Sequence, residues 1–216
     1  MTRRATWAGL LAAALLATFA PAALAEGEDA AGLTDETVNV TETTASQDTC
    51  REPDLFNPLS AFGDVRDYFV APGGDFEGGR DGWTLDGGAA IVGGGGTLAG
   101  GIGNALRLPP GSQAVSPAFC VDLHYPTFRF FAAQVAQKGG SLKVDVIYPE
   151  LRKGNVHGAG DMKSNPHWGL SKDFKLEPQR AGKKAGWRKV AIRFRAEAHE
   201  GDWRVDDILI DPRMRG

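Results

Sequence analysis

Stretches in which apolar and polar residues alternate recur along the second half of the chain. In residues 142–148 and again in residues 190–196 every second side chain is apolar, and proline or glycine closes most such stretches. A period of two is typical of a strand with one face in a core, whereas a helix repeats its apolar positions every three or four residues. Many short strands between turn residues therefore predict an all-β sandwich of the jelly-roll type.

The last alternating stretch, residues 203–210, contains two adjacent acids. With a period of two, Asp207 shares one face with Leu209, and Asp206 lies on the opposite face. Whichever face is buried, one carboxylate lies among apolar side chains, where a charge is tolerated only when it is paired or bound to a metal. A structural calcium ion, a salt bridge to an arginine such as Arg193 or Arg195, and the capping of backbone amides are the three interpretations.

A glycine-rich stretch, residues 73–83, carries Asp75, Glu77 and Asp81 close to glycine carbonyls. Each glycine inside a helix costs about 1 kcal/mol relative to alanine, so this stretch is predicted to be a loop. Carboxylate and carbonyl oxygens are the ligands that a hard cation such as calcium prefers. The stretch is therefore a candidate calcium loop.

Two motifs resemble the ends of galactose-binding-like jelly rolls of the carbohydrate-binding-module type. They are Gly-Gly-Asp-Phe-Glu-Gly-Gly, followed by Gly-Trp, at residues 73–83, and Trp-Arg-Val-Asp-Asp-Ile-Leu-Ile-Asp-Pro at residues 203–212. The resemblance covers about residues 72–212 and implies that the first and last strands are neighbours, with a calcium ion commonly between them. The calcium ligands that it implies are Glu77, Asp206, Asp75 and Gly74, the last two through backbone carbonyls.

The first 25 residues have the composition of a signal peptide. A short basic start, an apolar run at residues 5–20 and the small residues Ala23 and Ala25 follow in the expected order. A membrane anchor needs about 20 apolar residues, more than this run provides. We expect cleavage after residue 25, secretion, and no insertion into a membrane.

Residues 26–49 carry seven carboxylates and neither lysine nor arginine. Low hydrophobicity with charge of one sign predicts a disordered segment, either a spacer that holds the next domain away or a plain tail. The chain has a net charge of −3, with −7 in this segment and +2 in the signal, which leaves about +2 for residues 50–216. So mild a charge argues against nucleic-acid binding. Residues 50–216 are predicted to form one monomeric domain.

Cys50 and Cys120 are the two cysteines of the chain. In an exported protein such a pair predicts a disulfide, with metal binding as the weaker alternative. A bridge over a loop of this length stabilises the fold by up to about 4 kcal/mol in the chain-entropy model.

No catalytic motif is evident in the sequence. It contains no Gly-x-Ser-x-Gly elbow, no His-Glu-x-x-His zinc motif and no Walker loop, and its four histidines share no ligand spacing. We expect a non-enzymatic protein. A hydrolase whose pair of carboxylates meets only in three dimensions is the least favoured alternative.

Aromatic residues in polar surroundings are the candidate ligand contacts. Trp168 follows His167 in a polar stretch, and Tyr148 ends a predicted strand just before a proline, so these three are predicted to bind a sugar. Trp83 and Trp203 lie within the two motifs and are expected to fill the core.

The predicted function is the binding of a carbohydrate or a cell-envelope glycan. Residues 172–195 carry nine basic residues against two acids, which would suit an anionic glycan, although a solvated strand face is the ordinary explanation. Trp168 could also cover the sheet as any large apolar residue does. The competing hypothesis is an extracellular module that binds another protein, or serves a structural role, without a sugar site.

Overall fold

The computed structural model describes residues 50–96, 98, 103–136, 139–182, 186–199 and 201–212. The predicted signal at residues 1–25 and the acidic segment at residues 26–49 lie outside these ranges. Within the described part, no helix is long and apolar enough to cross a membrane.

Two antiparallel sheets make up the described domain. The first has the path β10-β7-β13-β4-β3, with β1 also pairing with β13 and β11 with β7. Its strands are β1 (Phe69–Val70), β3 (Ala90–Gly93), β4 (Asn104–Leu108), β7 (Thr127–Ala136), β10 (Gly169–Leu170), β11 (Phe174–Lys175) and β13 (Asp202–Asp211). We call it the seven-stranded sheet.

The six-stranded sheet has the path β2-β5-β12-β8-β9, with β6 also pairing with β12. Its strands are β2 (Thr84–Asp86), β5 (Gln113–Val115), β6 (Phe119–Val121), β8 (Ser141–Ile147), β9 (Val156–Lys163) and β12 (Arg188–Ala196). Two short 3₁₀ helices, Ser60–Phe62 and Pro178–Arg180, complete the regular elements of this part of the chain.

Side chains from both sheets form one buried core. Trp83 stacks on Phe194 of β12 with 6.3 Å between ring centroids, and Trp203 of β13 belongs to the same cluster. The alternation in residues 142–148 and 190–196 places the apolar side chains of β8 and β12 in this core, as predicted. The all-β sandwich and the positions of both tryptophans are therefore confirmed.

A bulge interrupts β13 at its two acids. The pairing of β13 with β7 shifts register between Asp206 and Leu209, and Asp207 has a φ of 46°. The extra residue moves Ile208 into the main core and Leu209 to the opposite face, where it packs with Phe131. An unbroken period of two over residues 203–210 would place Leu209 on the face of Trp203 and Val205, which are in the main core, and that prediction is wrong because a bulge breaks the period.

The glycine-rich stretch at residues 73–83, which follows β1, lies beside the last strand, β13. Phe69 of β1 pairs with Ile210 of β13, and the Ile208 amide donates to the Gly74 carbonyl at 3.0 Å. The neighbourhood that the two end motifs implied is thus present in the structure.

Residues 50–68, which we call the strap, run from the six-stranded sheet at Cys50 to the outer face of the seven-stranded sheet at Leu59 and Tyr68. Cys50 is joined to Cys120 of β6, with 5.6 Å between the Cα atoms, so the predicted disulfide is confirmed. Leu59 and Tyr68 of the strap pack with Phe131 and Leu209 in a second buried cluster, which we call the outer cluster.

An ionic network fastens the end of the strap to the sheet. The Arg66 guanidinium contacts the carboxylates of Asp64 and Asp211, and Arg129 donates to Asp64 at 3.0 Å. The Tyr68 hydroxyl donates to Asp64 at 2.9 Å. The hydrogen bond from Arg66 is the main reason that the pKa of Asp64 lies well below its usual range.

Candidate functional site

Asp206 lies within the fold and accepts hydrogen bonds from backbone amides. Its side chain is fully buried, with Oδ2 at 2.5 Å from the Gly96 nitrogen and Oδ1 at 2.8 Å from the Asp207 nitrogen. Asp207 Oδ2 accepts from the Leu98 amide at 3.0 Å. The two adjacent acids of β13 thus bind the loop between β3 and β4, at Gly96 and Leu98, as the amide-capping interpretation predicts. We call this segment the glycine-rich loop.

Glu77 holds the same loop at its other end. Its Oε1 atom accepts from the Asn104 amide at 2.9 Å. A Cβ atom at Gly103 would lie 2.2 Å from this oxygen, and one at Gly95 would lie 2.8 Å from Asp206 Oδ2. The carboxylates approach the loop this closely because these positions carry no side chain.

The remaining predicted calcium ligands are also engaged with the backbone. The Gly74 carbonyl accepts from Ile208, and Asp75 Oδ1 accepts from the Glu77 amide at 3.4 Å. Across the described ranges, no group of three His, Cys, Asp or Glu side chains is placed to hold a metal ion. The oxygen ligands available to a calcium ion are the carboxylates of Glu77 and Asp206 and the carbonyls around them. Calcium therefore stays a prediction.

The suggested salt bridge from β13 to Arg193 or Arg195 is wrong. Arg193 and Arg195 lie in the six-stranded sheet, where both donate through Nε to Asp145 Oδ2, at 2.9 and 2.8 Å. Their side chains point away from the core on the opposite side of the sandwich from Asp206, because Phe194 between them points inward.

The three residues predicted to bind sugar are not together. Tyr148 is 1% exposed, belongs to the main core, and its hydroxyl donates to the Leu176 carbonyl at 2.7 Å. Burial raises the pKa of Tyr148 well above its usual value. Trp168 is half-buried against the outer cluster, and His167 beside it is exposed. One ring therefore belongs to the main core and the other to the outer cluster.

A cleft of about 230 Å³, which we call the edge cleft, opens beside β9. Its walls come from the β8–β9 hairpin on one side and from β11 and the 3₁₀ helix Pro178–Arg180 on the other. The side chains that give it chemical character are Tyr148, His157, Ala159, Lys175, Glu177 and Arg180. Of the three residues predicted to bind sugar, Tyr148 is the one that lines the edge cleft.

Positive charge exceeds negative charge in the edge cleft. Arg180 donates through Nε to the Glu177 carboxylate. This bond, helped by the charges of Arg180, His157 and Lys175, lowers the pKa of Glu177, which is therefore ionised at neutral pH. Within the described residues, the Lys175 ammonium and the His157 ring have neither a hydrogen bond nor an ion pair.

The backbone at Glu177 is held in an unusual conformation. Its φ is 47°, in the left-handed region that residues with a side chain rarely adopt, and Pro178 follows it. The 3₁₀ turn after it brings Arg180 back onto the Glu177 carboxylate. Strained conformations of this kind persist where the surrounding structure enforces them, and they concentrate at ligand sites.

A second, more open cleft of about 490 Å³ lies on the outer face of the six-stranded sheet. Its charged side chains already have partners, since Lys143 pairs with Glu197 at 3.3 Å and Arg195 pairs with Asp145. The edge cleft, in which the Lys175 ammonium has no ion pair among the described residues, is the better candidate for a ligand site.

Comparisons with known proteins identify solved structures of similar fold. No family model matches the chain, and no curated protein does. A family 16 carbohydrate-binding module is 20% identical, with a TM-score of 0.42 over 65% of this chain and 97% of that one. The CBM22-1 xylan-binding domain from Paenibacillus barcinonensis Xyn10C is 14% identical, with a TM-score of 0.45 over 66% and 93%.

A third match is the enzymatically active domain of bacteriophage CBA120 tailspike protein 4. It is 11% identical, with a TM-score of 0.46 over 65% of this chain and 21% of that one. Carbohydrate-binding modules are thus among the structures similar to this one, as the resemblance of the end motifs predicted. Likenesses this distant bring no ligand or activity to the present chain.

Proposed function

We propose that this protein is a non-catalytic carbohydrate-binding module whose ligand site is the edge cleft. The observation that carries the proposal is the combination in one cleft of an ion pair, Glu177 and Arg180, with two side chains that have no partner among the described residues, His157 and Lys175. Sugar hydroxyls can donate hydrogen bonds to the Glu177 carboxylate and accept them from the N–H groups of Arg180 and Lys175.

The size of the edge cleft supports a short stretch of glycan as the ligand. Its volume of about 230 Å³ falls below the roughly 300–1,000 Å³ of sites that enclose drug-sized molecules. An open cleft of this size holds one or two units of a chain that continues into solvent.

The carboxylate content of the edge cleft supports binding without hydrolysis. Glycosidases typically use two carboxyl groups, one of them protonated as a general acid. Among the described residues that line the edge cleft, Glu177 is the single acid, and its pKa is lowered by Arg180. A carboxylate in this state accepts hydrogen bonds from sugar hydroxyls and is a poor proton donor.

A glycan array with the full chain and three variants tests the proposal. We expect wild type to bind a subset of plant, fungal or bacterial glycans, and Glu177→Gln to weaken that binding by about tenfold, the loss of one charge-assisted hydrogen bond. Trp168→Ala and Lys163→Ala, which lie away from the edge cleft, should bind as wild type does. Silence across the array, or loss of binding in Trp168→Ala alone, would contradict the proposed site.

A protein-interaction module is the second candidate, because the strap exposes apolar side chains. Phe62 is 60% exposed and Val65 is 75% exposed, and Leu55 and Phe56 are exposed nearby. Single exposed apolar residues are ordinary on protein surfaces. This function would be favoured if wild type bound a cell-envelope protein but no glycan on the array. The double variant Phe62→Ser/Val65→Ser should then lose the binding to protein.

We also propose that Glu77 and Asp206 hold a structural calcium ion together with the Gly74 carbonyl and Asp75. The support is that both carboxylates lie against the same glycine-rich loop, one at each end. Calcium would supply a common positive charge to two carboxylates and so fasten the loop to β13.

Export from the cell is part of the same proposal. The disulfide between Cys50 and Cys120 is of the kind that persists in oxidising surroundings. The composition of the first 25 residues supports secretion as the route.

A further inference from the structure

We infer that the edge cleft recognises the carboxylate of a uronic acid unit, so that the ligand is an acidic glycan rather than a neutral one. This inference rests on the proposed function, and it adds the chemical class of the ligand. Three cationic or titratable groups, His157, Lys175 and Arg180, face one acid in this cleft.

The positive groups come from three separate elements. His157 lies in β9, opposite Val146 of β8. Lys175 ends β11, and Arg180 ends the 3₁₀ helix that follows. Groups that the fold brings together from distant positions form a site, whereas a run of charges along one exposed strand is only a solvated face.

The charge balance of the edge cleft is incomplete. Arg180 is matched by Glu177, which leaves the Lys175 ammonium and the His157 ring without a partner among the described residues. A single carboxylate from a ligand would match the charge of Lys175. It would accept hydrogen bonds from Lys175 and from the guanidinium nitrogens of Arg180 that do not contact Glu177.

The same arrangement leaves acceptor capacity for the rest of the sugar. The Glu177 carboxylate uses Oε2 for Arg180 Nε, and a carboxylate has room for about four hydrogen bonds in all. Sugar hydroxyls can donate to the oxygens that face the cleft. The edge cleft therefore pairs a cationic end for the uronate carboxylate with an anionic end for hydroxyls, which sets the orientation of the unit.

Two ligands that differ only at the carboxyl group test the inference by isothermal titration calorimetry of the full chain. The probes are hexagalacturonate and its fully methyl-esterified form, which keep the same backbone and linkage. We expect the ester to bind at least about tenfold more weakly, since it lacks the ionised acceptor. The preference should shrink as salt is raised.

A matched pair of variants locates the effect. Lys175→Gln should reduce the affinity for hexagalacturonate by about tenfold and leave the affinity for the ester nearly unchanged. Lys163→Gln is the control, because Lys163 lies at the far end of β9, where it pairs with Asp161 at 3.0 Å. Its affinity for both probes should match that of wild type, and thermal melting of both variants should show intact folding.

The failure of the inference can be told apart from the failure of the proposed function. Equal affinity for the acid and its ester, with binding that still depends on Glu177, would overturn the uronate inference and keep the glycan site. Equal loss in Lys175→Gln and Lys163→Gln would also overturn it, by showing general charge attraction. Absence of binding to both probes and to a neutral glycan panel would overturn both.

Discussion

The amide of Ile208 donates to the carbonyl of Gly74 at 3.0 Å, which ties the bulge of β13 to the loop that follows β1. Residues near the two ends of the domain thereby meet, and their carboxylates, Glu77 and Asp206, take hold of the same glycine-rich loop. The stability of this region should therefore depend on the shape of the loop, on the charges against it and on any ion between them.

Removal of calcium is expected to lower the melting temperature. If the proposed ion is present, a chelator takes away a positive charge that offsets two carboxylates, and a loss of 1–2 kcal/mol corresponds to several degrees, about 2–4 °C per kcal/mol for a domain of this size. Differential scanning calorimetry with and without chelator measures it. In Glu77→Gln the chelator should have a smaller effect. An unchanged melting curve together with metal-free elemental analysis would dismiss the ion.

Substitution of two nearby glycines, Gly93 at the end of β3 and Gly95 in the loop after it, should differ sharply in effect. A Cβ atom at Gly95 would lie 1.8 Å from the Asn104 carbonyl oxygen, whereas one at Gly93 would have no atom within 4 Å. We expect Gly95→Ala to reduce the free energy of unfolding by about 1–3 kcal/mol or more through backbone displacement. Gly93→Ala should be nearly neutral. Urea unfolding measures both, and equal stabilities would show that the loop yields freely.

Reduction of the disulfide is expected to destabilise the domain. The bond between Cys50 and Cys120 closes a separation of 70 residues, and its loss should lower the free energy of unfolding by about 2–4 kcal/mol. Urea unfolding of the Cys50→Ser/Cys120→Ser variant measures this. Alkylation of native protein followed by mass spectrometry is the control, since two reactive thiols would mean that the bond is absent in solution.

Asp64 should make the domain sensitive to acid. Because Arg66 holds its pKa below the usual value, the folded protein binds a proton at Asp64 more weakly than the unfolded chain does. The stabilisation is complete above the unfolded pKa of about 4 and is lost as pH falls from there towards the lower folded pKa. Asp64→Asn should therefore lower stability at pH 7 by about 1–3 kcal/mol and lose less stability towards pH 3 than wild type does.

Asp211 changes the pH dependence of stability in the opposite direction to Asp64. The test therefore compares the pH dependence of wild type with that of Asp64→Asn. Burial raises the pKa of Asp211 although Arg66 contacts it. The folded state thus binds a proton at Asp211 more tightly, which adds stability on acidification. Unfolding curves of wild type and Asp64→Asn across pH 7 to 3 isolate the Asp64 contribution. Parallel pH profiles would show that Asp64 does not titrate in this way.

The sandwich could be predicted because period-two alternation is a local signal. Residues 142–148 and 190–196 lie where the alternation placed them, with Val144 and Ile192 in the core. The bulge could not be predicted. Asp207, which has the left-handed φ, accepts a hydrogen bond from the Leu98 amide, and these two residues are 109 positions apart in the chain. Local alternation carries no record of such a long-range contact.

The candidate site was harder to predict because its residues come from separate elements. Tyr148 was selected for its ring, but neither Lys175 nor Glu177 has a distinctive neighbour in the sequence. The one local signal near them was the excess of basic residues between 172 and 195.

The strap is bonded to one sheet at its start and to the other at its end. Cys50 is linked covalently to β6 of the six-stranded sheet, while Arg66 and Phe69 reach β13 of the seven-stranded sheet. A pull applied to the chain ahead of Cys50 would therefore reach β6 through the disulfide and β13 through the apolar contacts and ion pairs of the strap. After reduction of the disulfide, the same force would pass through the strap alone.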